Sequence, residues 1–377
     1  MAENKTAQLR IKPVSPAFRA SRGQRSRRGT IAILAAIVMI PILGMVAFAV
    51  DYAYLLKKKT ELQRAADSAV LAAARDLLPN SSGYQDYDQV RATLRQYVRD
   101  NIGDQNFTVL DSDIEIGRYD PTTVYTNFTI LDYGTADTVK VTVRFDATAN
   151  SPVALYFANA LGIENGNVSA TATAVLQKAT LLYPGSDVLP FAVHEDLWNS
   201  RVTGDNWNIY SDGRVEDEYG LPIPGNWGTI DIGSENNSTS DVSDQIVNGL
   251  RQTDLDALYN DGRIPNNDYI NSTEPWFSEA DTGLSSGLKH AVQAVHGHVK
   301  LVPIYDFVSG DGNNTNFRVV RWGVVKVVDS NWAGSNNTSV TITKAYTYGN
   351  PTLRPQRDLS NTGNIVEGAF TSPALVQ

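Results

Sequence analysis

Four histidines, His194, His290, His296 and His298, are the side chains best suited to metal or proton chemistry in this chain. His296-x-His298 with His290 sketches a three-nitrogen site. Those positions straddle an expected helix end and strand start, and no acidic ligand keeps a fixed spacing to them. Solvated or hydrogen-bonded histidines are the simpler reading. Oxygen ligands of the kind calcium takes cluster at Asp111-x-Asp113-x-Glu115 and at Asp311-Gly-Asn-Asn. Neither follows the EF-hand order, and ordinary turns and strand edges use the same residues. There is no Gly-x-Ser-x-Gly elbow and no Gly-x-x-x-x-Gly-Lys loop, and the glycines of 225–233 lack the dinucleotide spacing. The absence of cysteine removes disulfides, iron–sulfur clusters, thiolate zinc sites and a Cys nucleophile together. The expectation is a non-enzymatic protein with no catalytic residue, cofactor or metal.

The elements, rather than a reactive group, must then carry the function. Thr30 to Val50 (TIAILAAIVMIPILGMVAFAV) holds no charge, and Pro41 and Gly44 are its only strong helix-weakening residues. About 21 residues at roughly 1.5 Å each give a helix of roughly 31 Å, the thickness of a bilayer's hydrocarbon core. Thr30, Pro41, Gly44 and Val50 thus mark a membrane anchor. Residues 1–28 hold eight Lys or Arg and one acid, Glu3. Such an arm stays in the cytoplasm beside anionic lipid, so the N-terminus is expected inside and the bulk of the chain outside. The rest of the chain is more acidic than the net charge of -9 suggests, which argues against nucleic acid as its partner. Two other readings are open. Ala47-Phe48-Ala49 fits signal cleavage, with Ser26-Arg27-Arg28 faintly like a twin-arginine signal, and a buried core helix is the third reading. The apolar run exceeds the usual 7–15 residues of a signal peptide, which favours a retained span.

Beyond Asp51 the pattern stays helical to Leu78, with Leu55, Leu62, Ala66, Ala69, Val70, Ala73 and Leu77 on one face. Span and extension therefore read as one helix. Its outer, alanine-rich face lets another element approach closely, which leaves two readings. The face docks on the chain's own ectodomain, or Leu62, Ala66, Ala69, Val70 and Ala73 form an assembly face for a second helix, in self-association or with another protein.

Arg27-Arg28-Gly29 before the span, Asp51 after it, and the run from Leu62 to Ala74 (LQRAADSAVLAAA) resemble the N-terminal Tad-like module of TadE/TadG-like proteins of Flp (tight adherence) pilus assembly. Gly29, Asp51, Gln63 and Asp67 are its signature positions here. The resemblance implies an inner-membrane or pilin-like protein with an extracytoplasmic C-terminal region, working with pilin subunits or other Tad components. Leu34 stands where prepilin-peptidase substrates carry Glu, which argues against cleavage after Gly29. Some TadG-like relatives hold a metal-binding von Willebrand A domain; Asp241-Val-Ser243 imitates its motif without the last Ser and without a preceding apolar strand.

The expected fold class is α+β. A long N-terminal transmembrane helix continues into an extracytoplasmic, antiparallel β-rich region with a pilin-like first block and a second β-rich block. The divisions are a basic arm at 1–28, the span and module at 29–79, a first block at 84–178, a Gly/Asn/Trp-rich block at 181–349 and an irregular tail at 350–377. In the first block a helix is expected over 86–100 and strands at 107–116, 124–131, 138–145 and 168–176, with a helix capped by Ser151 and ended by Gly162. In the second, strands 299–307 and 317–328 form a hairpin joined by a strand at 338–346. All six tryptophans lie in this second block, from Trp198 to Trp332. If they are exposed and coplanar along a groove, the alternative function applies: an exported or anchored carbohydrate-active enzyme or carbohydrate-binding module. Buried tryptophans would remove it.

Overall fold

The computed structural model describes residues 28–119, 128–131, 135–209, 228–230, 232–233, 238–281, 284–309, 315–333, 338–355 and 365–376. The chain forms two compact units, Met1–Tyr54 with Leu155–Glu164, and Leu55–Ala154 with Asn165–Gln377.

Helix α1 (Arg28–Arg75) runs unbroken for 48 residues, about 72 Å at 1.5 Å per residue. Pro41 lies inside it and does not end it. It stops slightly short of the expected end: the N–H groups of Asp76, Leu77 and Leu78 bond to carbonyls three residues back, which tightens the last turn. Among the described residues α1 is the one helix long and apolar enough to cross a membrane. From Ile31 to Val50 every side chain is exposed except Ala47, which is half-buried.

In the second unit, α2 (Tyr87–Ile102) starts where the Asp86 carboxylate accepts the N–H groups of Asp88 and Gln89, and ends at left-handed Gly103. It buries Val90, Leu94 and Val98. The strands that follow are β1 (Ile114–Tyr119), β2 (Phe128–Ile130), β3 (Thr138–Phe145), β4 (Val153–Ala154), β5 (Asn165–Gly166) and β6 (Val168–Val175). Val139, Val141 and Val143 stand opposite Ala174, Ala172 and Ala170 in the β3–β6 register, and all six are buried. The other face is polar: Lys140 pairs with Glu115 at 3.0 Å, and Thr142 bonds Thr171 at 3.1 Å. Alternation along each strand sends the small apolar side chains inward and the polar ones to water.

Three expectations shift here. The first strand begins at Ile114, not Phe107, because 111–113 is a 3-10 turn; Phe107 and Val109 are buried ahead of it. Of the stretch 124–131, Phe128–Ile130 is a strand, and 124–127 lies outside the described residues. Ser151 does not cap a helix. Asn150 and Ser151 both take positive φ, at 62° and 58°, and the chain enters the short β4–β5 pair instead. Only Ala158–Leu161 turns, as a 3-10 segment closed by left-handed Gly162.

The remaining elements are β7 (Leu181–Leu182), β8 (Phe191–His194), α3 (Glu195–Ser200), β9 (Asn206–Ile209), β10 (Gly228–Ile230), α4 (Thr239–Asn248), α5 (Gln252–Asn260), β11 (Ile270–Asn271), β12 (Trp276–Asp281), α6 (Lys289–Ala294), β13 (Val299–Ser309), β14 (Thr315–Trp332), β15 (Thr338–Lys344), β16 (Thr347–Tyr348), β17 (Leu353–Arg354), β18 (Val366–Glu367), β19 (Ala369–Phe370) and β20 (Ala374–Val376). The expected hairpin is β13–β14, and β15 joins it antiparallel. The larger sheet runs β12-β10-β8-β13-β14-β15-β9. β12 also pairs with β14, so β12, β10, β8, β13 and β14 close into a ring. Closure leaves β12 without an open edge, while β9 stays at the end of the sheet. One apolar cluster includes Tyr305, Phe317, Trp276 and Trp322, with Leu255 and Leu258 of α5. A second joins Val302, Ile304, Val325 and Ile342 to Val242 and Ile246 of α4 and Val292 of α6.

The tail is not irregular. Residues 353–376 supply β17 through β20, apart from 356–364, which lie outside the described residues. β20 pairs with β6, so the first sheet runs β2-β1-β3-β6-β20. Both β-rich blocks belong to one compact unit, and the tail beyond residue 350 supplies strands to each: β20 beside β6, and β17 and β18 beside β7 and β14. The architecture is α+β: a long apolar helix followed by a β-rich, largely antiparallel region.

Candidate functional site

In the first unit, Asp51 follows directly on the last apolar residue of the span, and its carboxylate is buried. Its Oδ1 accepts the Tyr156 N–H at 2.9 Å, and its Oδ2 accepts the N–H groups of Phe157 at 3.0 Å and Ala158 at 2.6 Å. Tyr54 meets Tyr156 edge-on, with ring centroids 5.3 Å apart. Burial opposes ionisation of Asp51, but the three backbone donors outweigh it and hold the carboxyl below its ordinary value. The same three bonds favour the charged carboxylate as their acceptor. Sequence reasoning marked Asp51 as a signature position without finding its partners, which lie more than a hundred residues away.

Thr30 and Gly29 lie in the first turn of α1. Pro41, Gly44 and Val50 lie on its exposed stretch, and Gly44 has open space where a side chain would project. In the second unit, Gln63 Nε2 donates to the Asp67 carboxylate at 2.7 Å and to the Thr171 carbonyl of β6 at 3.1 Å. The signature pair Gln63 and Asp67 thus ties α1 to the first sheet. Leu62, Ala66, Ala69, Val70 and Ala73 are all completely buried. Lys58 Nζ lies 6.0 Å from the centre of the Phe145 ring of β3, and Asn101 of α2 donates to Ser68 Oγ at 3.2 Å. Of the two readings of the alanine face, docking on the chain's own ectodomain is the one its burial supports. A second helix reaches these five positions only if the sheet leaves them.

The residues with potential chemistry do not converge. Asp111 pairs with Arg95, Asp113 with Arg144 and Glu115 with Lys140, so each carboxylate faces a different cation. Asp311 lies outside the described residues. His194 Nδ1 accepts the Asp196 N–H at 3.2 Å at the start of α3, and His296 Nε2 is 2.9 Å from Ser330 Oγ. Asp241 lies in the first turn of α4, facing Arg251. Among the described residues no three potential metal ligands come together.

Four of the five described tryptophans are core residues. Trp198, Trp207, Trp276 and Trp322 are buried, and Trp332 is half-buried; Trp227 lies outside the described residues. Trp198 packs where β14 has glycine: a Cβ on Gly323 would stand 2.3 Å from its ring. Its Nε1 donates to Glu367 at 2.7 Å, and Lys344 Nζ sits 4.4 Å above its ring. Glu367 also receives Arg321 and Lys344, both at 3.3 Å. This hub is structural, and no local pattern announces it, because its members are spread from 198 to 367. Four buried indoles cannot line a sugar-binding groove.

Residues 29–76 match the Flp pilus-assembly TadE/G-like family, and residues 62–174 match the Tad-like Flp pilus-assembly family. No curated protein and no solved structure matches the chain. The two matched stretches run from the span through α2, β1 and β3 almost to the end of β6, and they contain both Asp51 and the Gln63–Asp67 pair. The chain is thus similar over residues 29–76 to TadE/G-like and over residues 62–174 to Tad-like Flp pilus-assembly proteins, together less than half of its length.

Proposed function

We propose that the chain is a non-enzymatic, single-pass envelope protein that serves Flp/Tad pilus assembly, with its N-terminus in the cytoplasm and its β-rich region outside. The observation that carries this reading is the coincidence of the Tad match over 29–174 with one exposed apolar helix at its start. The basic arm of 1–28 orients the chain by its positive charge. Thr30 to Val50 anchors it. The buried alanine face of α1 holds the first sheet onto the helix, so pilin subunits or other Tad components meet the outer surfaces of the β-rich region or the span itself.

Protease treatment of intact spheroplasts, with tags at either end, tests the topology. The C-terminal tag should be lost and the N-terminal tag protected; the reverse pattern overturns the orientation. Deleting the gene should abolish Flp pili, and normal piliation would remove the assembly role.

A further inference from the structure

The segment Leu155–Glu164 (LYFANALGIE) has no structural task that accounts for its composition. It is apolar except for Asn159 and Glu164, yet Tyr156 is 67% exposed, Phe157 49%, Leu161 82% and Ile163 56%. Its backbone is satisfied from within: Ala160, Gly162 and Ile163 donate to carbonyls of Phe157, Asn159 and Ala158, and Leu155 donates to Glu164. The three N–H groups that open the turn go to Asp51. A loop that exposes large apolar side chains while pairing its own amides is built for an environment poor in water.

Asp51 says which environment. It is one residue beyond Val50, about 1.5 Å along the helix from the end of the apolar run. A loop clipped to it by direct hydrogen bonds therefore lies at the level where hydrocarbon gives way to headgroups, a zone roughly 5–7 Å deep on each side of a bilayer. Aromatic rings gather at that level, and Phe48 and Tyr52, both exposed, lie on the adjoining turn of α1 with ring centroids 6.2 Å apart. The segment 155–163 contains no Lys, Arg, Asp or Glu to oppose insertion. A carboxylate at the hydrocarbon edge is costly unless it is hydrogen-bonded, and Asp51 is buried with three donors.

We propose that Leu155–Glu164 is a membrane-seating loop. Pinned to Asp51, it inserts Tyr156, Phe157, Leu161 and Ile163 into the outer interface of the bilayer that α1 spans, and so gives the module a second point of contact with lipid. This inference rests on the spanning reading of Thr30–Val50, and a reference position inside the span separates the two. The ligand is the lipid surface itself; a second protein copy on the same residues is the competing occupant.

The absence of cysteine makes the test clean. Leu161→Cys and, separately, Met45→Cys are introduced into the full-length chain, labelled with an environment-sensitive fluorophore and reconstituted at one copy per vesicle. Vesicles of phosphatidylethanolamine and phosphatidylglycerol are prepared with and without nitroxide-labelled lipid. Both labels should lose fluorescence severalfold in the nitroxide vesicles. In an Asp51→Asn background the Leu161 label should escape much of that quenching and gain accessibility to iodide, while the Met45 label is unchanged. Quenching at Met45 without quenching at Leu161 overturns the seating loop and leaves the span standing. No quenching at Met45 overturns the span itself. Shielding of Leu161 from iodide only at high protein-to-lipid ratio would assign the loop to a second copy and likewise overturn the proposal.

Discussion

The two β-rich regions solve the same burial problem in opposite ways. The first sheet is one-sided: Val139, Val141, Val143 and their alanine partners face inward, while Lys140, Thr142 and Thr171 line a polar surface. The second sheet is apolar on both faces and closes a ring through the β12–β14 pairing. A one-sided sheet needs a cover, and the thin alanine face of α1 together with α2 provides it. A closed, two-sided sheet covers itself with its own short helices and tail strands. The Tad-like match ends at residue 174, near the end of β6, and so takes in the first sheet except β20.

The comparison breaks most sharply at the helix–sheet seam. Ala69→Glu places a charge at a fully buried position, and should cost about 3–5 kcal/mol or prevent folding. Thermal unfolding followed by circular dichroism measures the loss; a variant as stable as the parent would mean that the seam is not closed. In the second region, Gly323→Ala drives a methyl to 2.3 Å from the Trp198 ring, at a cost of about 1–3 kcal/mol. Blue-edge tryptophan emission should shift red with it, and an unshifted spectrum would place Trp198 elsewhere. Removing the cap of the covering helix by Asp86→Ala should cost about 1 kcal/mol, visible as a lowered denaturant midpoint with an unchanged slope. On the polar face, Lys140→Ala breaks a surface ion pair and should stay within about 0.5 kcal/mol. A larger effect there would show that the first sheet is covered on both sides after all.

What the sequence made legible follows the same division. Thr138–Phe145 was readable to the residue, because a one-sided strand alternates and alternation is a local signal. The α2 boundaries were readable to within two residues. In the second region α3, α5, β9 and β12 escaped notice: β9 and β12 alternate buried with exposed positions, but over short runs that mix polar and apolar side chains, and the short helices are held by distant contacts. The run after Ser151 read as a helix because Ser151 and Gly162 looked like its two ends; its opening amides go instead to Asp51, which only the fold brings near. The alanine-face positions of α1 are buried, but periodicity cannot say whose surface covers them. The tail from 350 looked irregular because its strands are two or three residues long and pair with strands far away in sequence.

The central claim is that α1 remains part of the working protein and holds it in the membrane. Washing isolated membranes at alkaline pH and measuring the intact mass of what stays in the pellet tests it directly. The full-length chain should remain in the pellet with its N-terminal helix present. A soluble product beginning near Val50 would contradict it.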